Sequence, residues 1–207
     1  MTVLTRKVKG TFSLFATTSV RRNNVGTLGA SKVFITNAAT GVHDTLLSVQ
    51  LGGCNLITIK TQSVSRNTSR LTASFGKQIR GITSANLTIT QRNGKTFIQG
   101  LINGKRIVPF TCSSSCSCGF RKTVKFQNGT TLRVRIDKQL ELALNQLLLK
   151  LAREIRRSTP HRGTPNSICR AACQAAALAC RAACLPFFLP PCLRLCEAAL
   201  DACLAAC

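Results

Sequence analysis

The residues best suited to chemistry in this chain are cysteines, and they are unevenly placed. Eight of the 12 fall in CRAACQAAALACRAACLPFFLPPCLRLCEAALDACLAAC, residues 169–207. Cys169, Cys173, Cys180 and Cys184 stand at offsets 0, 4, 11 and 15. At about 100° per helical residue these offsets fall near 0°, 40°, 20° and 60°, one narrow stripe of an α-helix. Cys192, Cys196, Cys203 and Cys207 repeat the same offsets. The Ala-rich flanks favour helix. Between the two sets, the prolines of LPFFLPP (185–191) end one helix and let another begin, with Pro191 suited to a first turn. Two helices joined by so short a connection run antiparallel.

In an antiparallel pair, facing positions have residue numbers that add to a constant. Cys169 with Cys207, Cys173 with Cys203, Cys180 with Cys196 and Cys184 with Cys192 all share one total. Every cysteine therefore has a cysteine opposite. Ala177 faces Ala199 and Ala176 faces Leu200, so small residues let the backbones approach. Bridging needs Cα atoms about 4.4–6.8 Å apart, closer than ordinary helix packing. The spacing thus predicts four disulfide rungs in those pairs. A hairpin of this size has little core of its own and normally needs such staples. The competing chemistry is metal. The same geometry makes two four-thiolate clusters, Cys169, Cys173, Cys203, Cys207 and Cys180, Cys184, Cys192, Cys196, and thiolates suit Zn²⁺ or Cu(I).

The inner half, Cys180-x3-Cys184-x7-Cys192-x3-Cys196, resembles the α-hairpinin family of helical hairpins, which carry two CxxxC motifs and nested disulfides. The resemblance covers 17 residues, or 39 if the outer pairs extend it. It implies a scaffold and no activity. The doubled ladder and the long preceding chain depart from the family. A cysteine-lined helical interior also looks like that of bacterial copper-storage proteins, although those are larger bundles.

Cys54, Cys112, Cys116 and Cys118 form the remaining set, the last three in TCSSSCSCGF. They are a candidate second disulfide or metal cluster. One of Cys116 and Cys118 would pair with Cys54 and the other with Cys112, or one would cross-link to a second molecule. Catalytic chemistry has little material. The chain holds two histidines, His43 beside Asp44 and His161 in a Pro-rich stretch. Paired carboxylates, a Gly-rich phosphate loop, HExxH and GxSxG are all missing from the sequence. A poised acid, base or nucleophile is what catalysis requires, so the reading is of a non-enzyme with no cofactor, Zn²⁺ or Cu(I) being the minority alternative.

Charge supplies the other functional signal. There are 29 Lys+Arg against 6 Asp+Glu, a net charge of +23. Residues 1–136 contain 20 of the cations and one acid, Asp44. Self-repulsion at that density favours an anionic partner: nucleic acid, a wall polymer or surface, or an acidic protein. Candidate polyanion-binding residues are Arg21, Arg22, Arg121, Lys122, Lys125, Arg133, Arg135, Arg156 and Arg157. Tyr and Trp are absent, so base-stacking platforms would need Phe or Arg. No stretch is long and apolar enough for a transmembrane helix, and FSLFATTSV is too short and polar for a secretory signal. Twelve cysteines nevertheless suit an oxidising or surface-assembly setting.

The elements that would carry these groups can be read from period and punctuation. Residues 1–136 alternate Val, Ile, Thr and Phe with turn residues, which predicts an all-β antiparallel sandwich or barrel. Asn93-Gly94, Asn103-Gly104 and Asn128-Gly129 predict two-residue type I′ hairpins. Residues 137–157, DKQLELALNQLLLKLAREIRR, change period: Leu140, Leu144, Leu147, Leu148, Leu151 and Ile155 lie on one helical face, with Asp137 as N-cap. That face would pack on the β-domain, self-associate, or lie on a membrane. Residues 158–167, with Pro160 and Pro165, read as a linker to the hairpin of 168–207. The expected whole is an α+β protein of several parts. Its expected role is structural, a component of a self-assembling layer such as a spore coat, appendage or virion. Nucleic-acid or polyanion binding is the alternative, and a Cu(I)/Zn thiolate protein the third.

Overall fold

The computed structural model describes residues 3–8, 11–22, 24–37, 42–65, 67–93, 95–113 and 123–158, together with 196, 197, 200, 201 and 204. Most of the first part is one long meander. Its strands are β1 (Val3–Val8), β2 (Thr11–Arg22), β3 (Gly26–Asn37), β4 (Val42–Leu51), β5 (Cys54–Ser65) and β6 (Thr68–Phe75). After the two-residue β7 (Ile79–Arg80) the meander resumes with β8 (Ser84–Arg92), β9 (Lys95–Ile102) and β10 (Lys105–Arg106). The order is β1-β2-β3-β4-β5-β6-β8-β9-β10, all antiparallel, and β11 (Phe110–Ser113) also pairs with β9.

Three short strands follow: β12 (Thr123–Lys125), β13 (Thr131–Arg133) and β14 (Arg135–Ile136). β12 pairs with β13, and β14 returns to pair with β7. The helix α1 (Lys138–Ser158) ends this part.

The antiparallel sheet stands as expected, but it is open and is neither a sandwich nor a closed barrel. Among the described residues no ladder joins β1 to β10 or β11. The reason lies in what covers its inner face. Leu28 and Ala30 on β3, Leu47 and Val49 on β4, Leu71 and Ala73 on β6, and Leu87 and Ile89 on β8 alternate with more exposed residues and are buried. α1 packs on β2 and β3, while Ile79, Ile107, Phe126 and Val134 from short segments join the same core cluster. A helix and short strands supply the second layer, so no second sheet is required.

α1 forms where the period changed. Asp137 Oδ1 accepts from the backbone N–H of Gln139 (2.9 Å) and Leu140 (3.1 Å), which makes it the N-cap. Leu144, Leu147, Leu151 and Ile155 are no more than 1% exposed. Burial of each such side chain contributes about 1.5–3 kcal/mol. Polar contacts orient the helix along β2: Arg22 Nε donates to Gln146 Oε1 (3.0 Å), and Lys150 Nζ donates to the Ser19 carbonyl (3.2 Å). The leucine face is therefore occupied by the sheet, not by a membrane or a second copy.

The Asn-Gly turns behave in two ways. Asn93 and Asn103 both have φ of 51°, between strand ends paired as Arg92↔Lys95 and Ile102↔Lys105, the two-residue hairpins expected. Asn128-Gly129 differs. Gly129 N–H donates to the Phe126 carbonyl and only Gly129 has positive φ, so the loop is Gln127-Asn128-Gly129, a type I turn closed by a left-handed glycine. Asn128 Oδ1 holds it by accepting from Thr130 N–H (3.1 Å) and Thr130 Oγ1 (2.7 Å).

Of the tail, Cys196, Glu197, Leu200, Asp201 and Leu204 are helical. Cys196 is buried with the core cluster, and its sulfur is in a disulfide. The expected rungs through Cys169, Cys173, Cys180, Cys184, Cys192, Cys203 and Cys207 lie outside the described residues, as does His161.

Candidate functional site

Five of the cations of residues 77–136 stand beside apolar residues: Ile79-Arg80, Arg106-Ile107, Lys125-Phe126, Arg133-Val134-Arg135. In extended chain, neighbours point to opposite faces. Ile79, Ile107, Phe126 and Val134 are buried, so Arg80, Arg106, Lys125, Arg133 and Arg135 are turned outward, and all five are exposed. Backbone pairing brings these segments into one layer. Ile107 bridges Phe126, Val108 N–H donates to the Lys125 carbonyl (2.9 Å), and Gln127 N–H donates to the Arg106 carbonyl (3.0 Å). β12 and β13 carry Lys125 and Arg133 on a shared face, away from the half-buried Val124 and Leu132. β14 then places Arg135 directly opposite Arg80.

Two local devices hold that layer. Gly81 has φ of +92°, and a Cβ there would sit 2.6 Å from the Arg133 carbonyl oxygen. Only glycine permits β7 to approach so closely. Asn103 Oδ1 accepts from Thr83 N–H (2.8 Å), Thr83 Oγ1 (3.1 Å) and Ser84 N–H (3.3 Å), while its Nδ2 donates to the Gly81 carbonyl (2.8 Å). One side chain thus ties the β9–β10 turn to the chain that follows Arg80.

Beside the β7–β14 pair, at one edge of this layer, lies an open cavity of about 700 Å³. Lys77, Arg80 and Arg135 line one part of it, and Val25, Leu51 and Leu140 supply apolar wall. Its single acidic lining residue, Asp137, is committed to the α1 cap.

The sequence-predicted cations divide four ways. Lys125, Arg133 and Arg135 are brought together, with Arg80 and Arg106 added by the fold. Arg21 and Arg22 end β2, at the turn whose Asn24 and Val25 line the cavity. Arg157 is exposed at the far end of α1. Arg121, Lys122 and the Arg156 side chain lie outside the described residues. Arg80 and Arg106 escape sequence reading because each sits in a two-residue strand, too short to show a period.

Of the proposed cluster of Cys54 with Cys112, Cys116 and Cys118, Cys54 is a free, exposed thiol. Cys112 pairs with Thr96, and Thr96 with Gln91, whose N–H donates to the Asn67 carbonyl at the β5–β6 turn. Cys54 opens the other end of the 12-residue β5, about 40 Å away at ~3.3 Å per residue. One site cannot hold both. Cys116, Cys118 and the Cys112 side chain lie outside the described residues. Among the described residues, no group of three or more His, Cys, Asp or Glu side chains is placed to hold a metal ion. No helix there is long and apolar enough to cross a membrane.

Lys32 departs from the general picture. On β3 it lies opposite Ala16 and Leu47, sharing the inner face with Leu28 and Ala30, and it is 2% exposed. Burial lowers its pKa from 10.5 to about 7. His43 lies on β4, its side chain outside the described residues; Asp44 follows it, opposite Gln62.

Comparison with protein-family models, with curated proteins and with solved structures returns no match to this chain.

Proposed function

We propose that this is a non-enzymatic structural protein that assembles onto an anionic polymer through the layer formed by Arg80, Arg106, Lys125, Arg133 and Arg135. The observation that carries the reading is the arrangement of that layer. Five cations share one outward face over an apolar underside, and residues 45–136 contain no acidic side chain to neutralise them. Such a face suits a repeating phosphate or carboxylate chain, which gains from many contacts of about equal strength and requires no base readout. The cysteine ladder of residues 169–207 is the hardening element of the same reading, a stapled hairpin that stiffens the assembled protein. Cu(I) or Zn²⁺ held by those thiolates is its chemical competitor.

Binding to heparin, polyphosphate and RNA across a salt series tests the reading. Affinity should fall linearly on logarithmic axes for all three, because counterion release drives it. A triple variant, Arg106→Gln, Lys125→Gln and Arg133→Gln, should flatten the slope by roughly two to three contacts. Salt-independent binding, or none to any of the three polymers, refutes the proposal. Preference for one RNA sequence over others would favour nucleic-acid recognition instead. Metal analysis of protein purified without oxidant, together with intact mass before and after thiol alkylation, separates disulfides from bound metal in the tail.

A further inference from the structure

We infer that the open cavity at the β7–β14 edge of the cationic layer is a discrete binding site for a compact polyvalent oxyanion of the phosphate-monoester or diphosphate class. Arg80 and Arg135 would clasp the anion, and Lys77 would complete the charge. The inference rests on the reading that the protein takes anions, and it adds a defined site to a broad surface.

Three observations converge on it. First, Arg80 and Arg135 are direct cross-strand partners in the β7–β14 ladder. Facing positions there bring Cβ atoms about 4.5–5.5 Å apart, and like charges at that separation oppose pairing. The ladder is only two residues long, so it has little backbone pairing to offset that repulsion. An anion between the two guanidinium groups would turn the repulsion into two charge-assisted contacts, each able to be bidentate.

Second, Lys77 lines the same cavity, so three cations face one acid. That acid, Asp137, already accepts two backbone N–H groups at the start of α1. Two donors of the helix terminus are therefore taken by its own cap, and the cations make the site.

Third, the backbone that carries the arginines is held in place. The close approach at Gly81 and the Asn103 side chain fix β7, and hence Arg80, against the residues leading into β14. The cavity's volume of about 700 Å³ exceeds what an inorganic anion fills, and Val25, Leu51 and Leu140 offer apolar wall beside the cations. This combination suits a phosphorylated organic molecule or the phosphorylated end of a polymer, with the charged group held at the arginines and the body against the apolar wall.

Pyrophosphate is the probe, measured calorimetrically on the full chain, with heparin as the polymer control. Wild type should bind pyrophosphate in a saturable 1:1 manner. Arg80→Gln and Arg135→Gln should each weaken it by roughly ten-fold or more. Arg133→Gln removes a charge from the same layer but outside the cavity, and should stay within about two-fold. Thermal melting adds a second sign. Without anion, Arg80→Gln should melt above wild type because the like-charge pair is gone; with pyrophosphate the order should reverse. If Arg80→Gln does not fold, Lys77→Gln, in the exposed turn before β7, carries the same comparison.

Equal weakening by Arg133→Gln, or no pyrophosphate binding by wild type, overturns the cavity site. In either case, salt-dependent heparin binding leaves the surface reading intact. Pyrophosphate bound through the arginines with no affinity for heparin has the opposite meaning: the cavity stands and the polymer reading falls. Nucleoside diphosphates and short polyphosphate then distinguish the two sources, since only an organic body gains from the apolar wall.

Discussion

Replacing Lys32 by Met should stabilise the protein at neutral and lower pH, and the gain should disappear in alkali. Lys32 is 2% exposed, and burial lowers its pKa from 10.5 to about 7. At about 1.4 kcal/mol per pH unit, the charged form is disfavoured by roughly 5 kcal/mol in the folded state. The sign follows from proton counts. Between pH 7 and 10.5 the unfolded chain binds more protons at this position than the folded chain, so stability rises with pH through that window. Below pH 7 both states hold the proton and the full penalty persists. Above 10.5 both are neutral and it is gone.

Lys32→Met keeps an unbranched side chain of nearly the same volume and removes the charge. The variant should therefore exceed wild type by several kcal/mol at pH 6, approaching the ~5 kcal/mol limit. By pH 10.5 the difference should shrink to the ~1.5 kcal/mol or less that a volume-conserving swap costs or gains. Urea unfolding followed by circular dichroism at pH 6, 8 and 10, at fixed ionic strength, measures it. The difference between the two proteins is the quantity to plot, because the other ionisable groups are common to both. A pH-independent difference, or a variant weaker than wild type at pH 6, would refute the argument that the lysine is buried against its charge.

Other substitutions probe how the cationic layer is held. Asn103→Ala removes an acceptor serving three donors, a donor to the Gly81 carbonyl and a residue tolerant of φ 51°. A loss of about 2–4 kcal/mol in urea unfolding is expected, whereas Asn103→Gly should recover the backbone part alone. Gly81→Ala places a methyl 2.6 Å from the Arg133 carbonyl oxygen at φ +92°. It should cost more than about 2 kcal/mol and weaken pyrophosphate binding with it; unchanged stability would mean that β7 does not need that approach. Cys54 should be alkylated in the native protein within the time of a standard exposed-thiol reaction, and peptide mapping should find the label there while buried, bonded Cys196 stays unlabelled.

How much of this was legible in the sequence depends on how local each feature is. The helix over 138–158 was readable because a period of 3.6 and an N-cap are written within one segment; Asp137 and the Leu144–Leu147–Leu151 face needed only one another. Hairpins at Asn93-Gly94 and Asn103-Gly104 were readable for the same reason. At Asn128-Gly129 the same dipeptide made a different loop. There Gly129 alone takes the left-handed conformation, while Ile107 pairs with Phe126 from outside the hairpin. A turn dipeptide states that the chain reverses, not which register its flanks will adopt.

Length and alternation determined that residues 1–136 would be antiparallel sheet, and charge determined that a large part of the surface would be cationic. The cysteine offsets determined which thiols can face one another if the tail folds back on itself. Whether the sheet closes was decided only by tertiary packing. α1 and the segments holding Ile107, Phe126 and Val134 cover its inner face, so no second sheet was required. The same packing turned Lys32 inward from a strand whose alternation reads as ordinary. It also separated Cys54 from Cys112 along the length of β5. Finally it set Arg80 against Arg135, residues far apart in the chain, through a two-residue ladder. Composition can say how much positive charge a chain carries. Which cations stand face to face depends on strand pairing across long loops, and that is a property of the folded molecule.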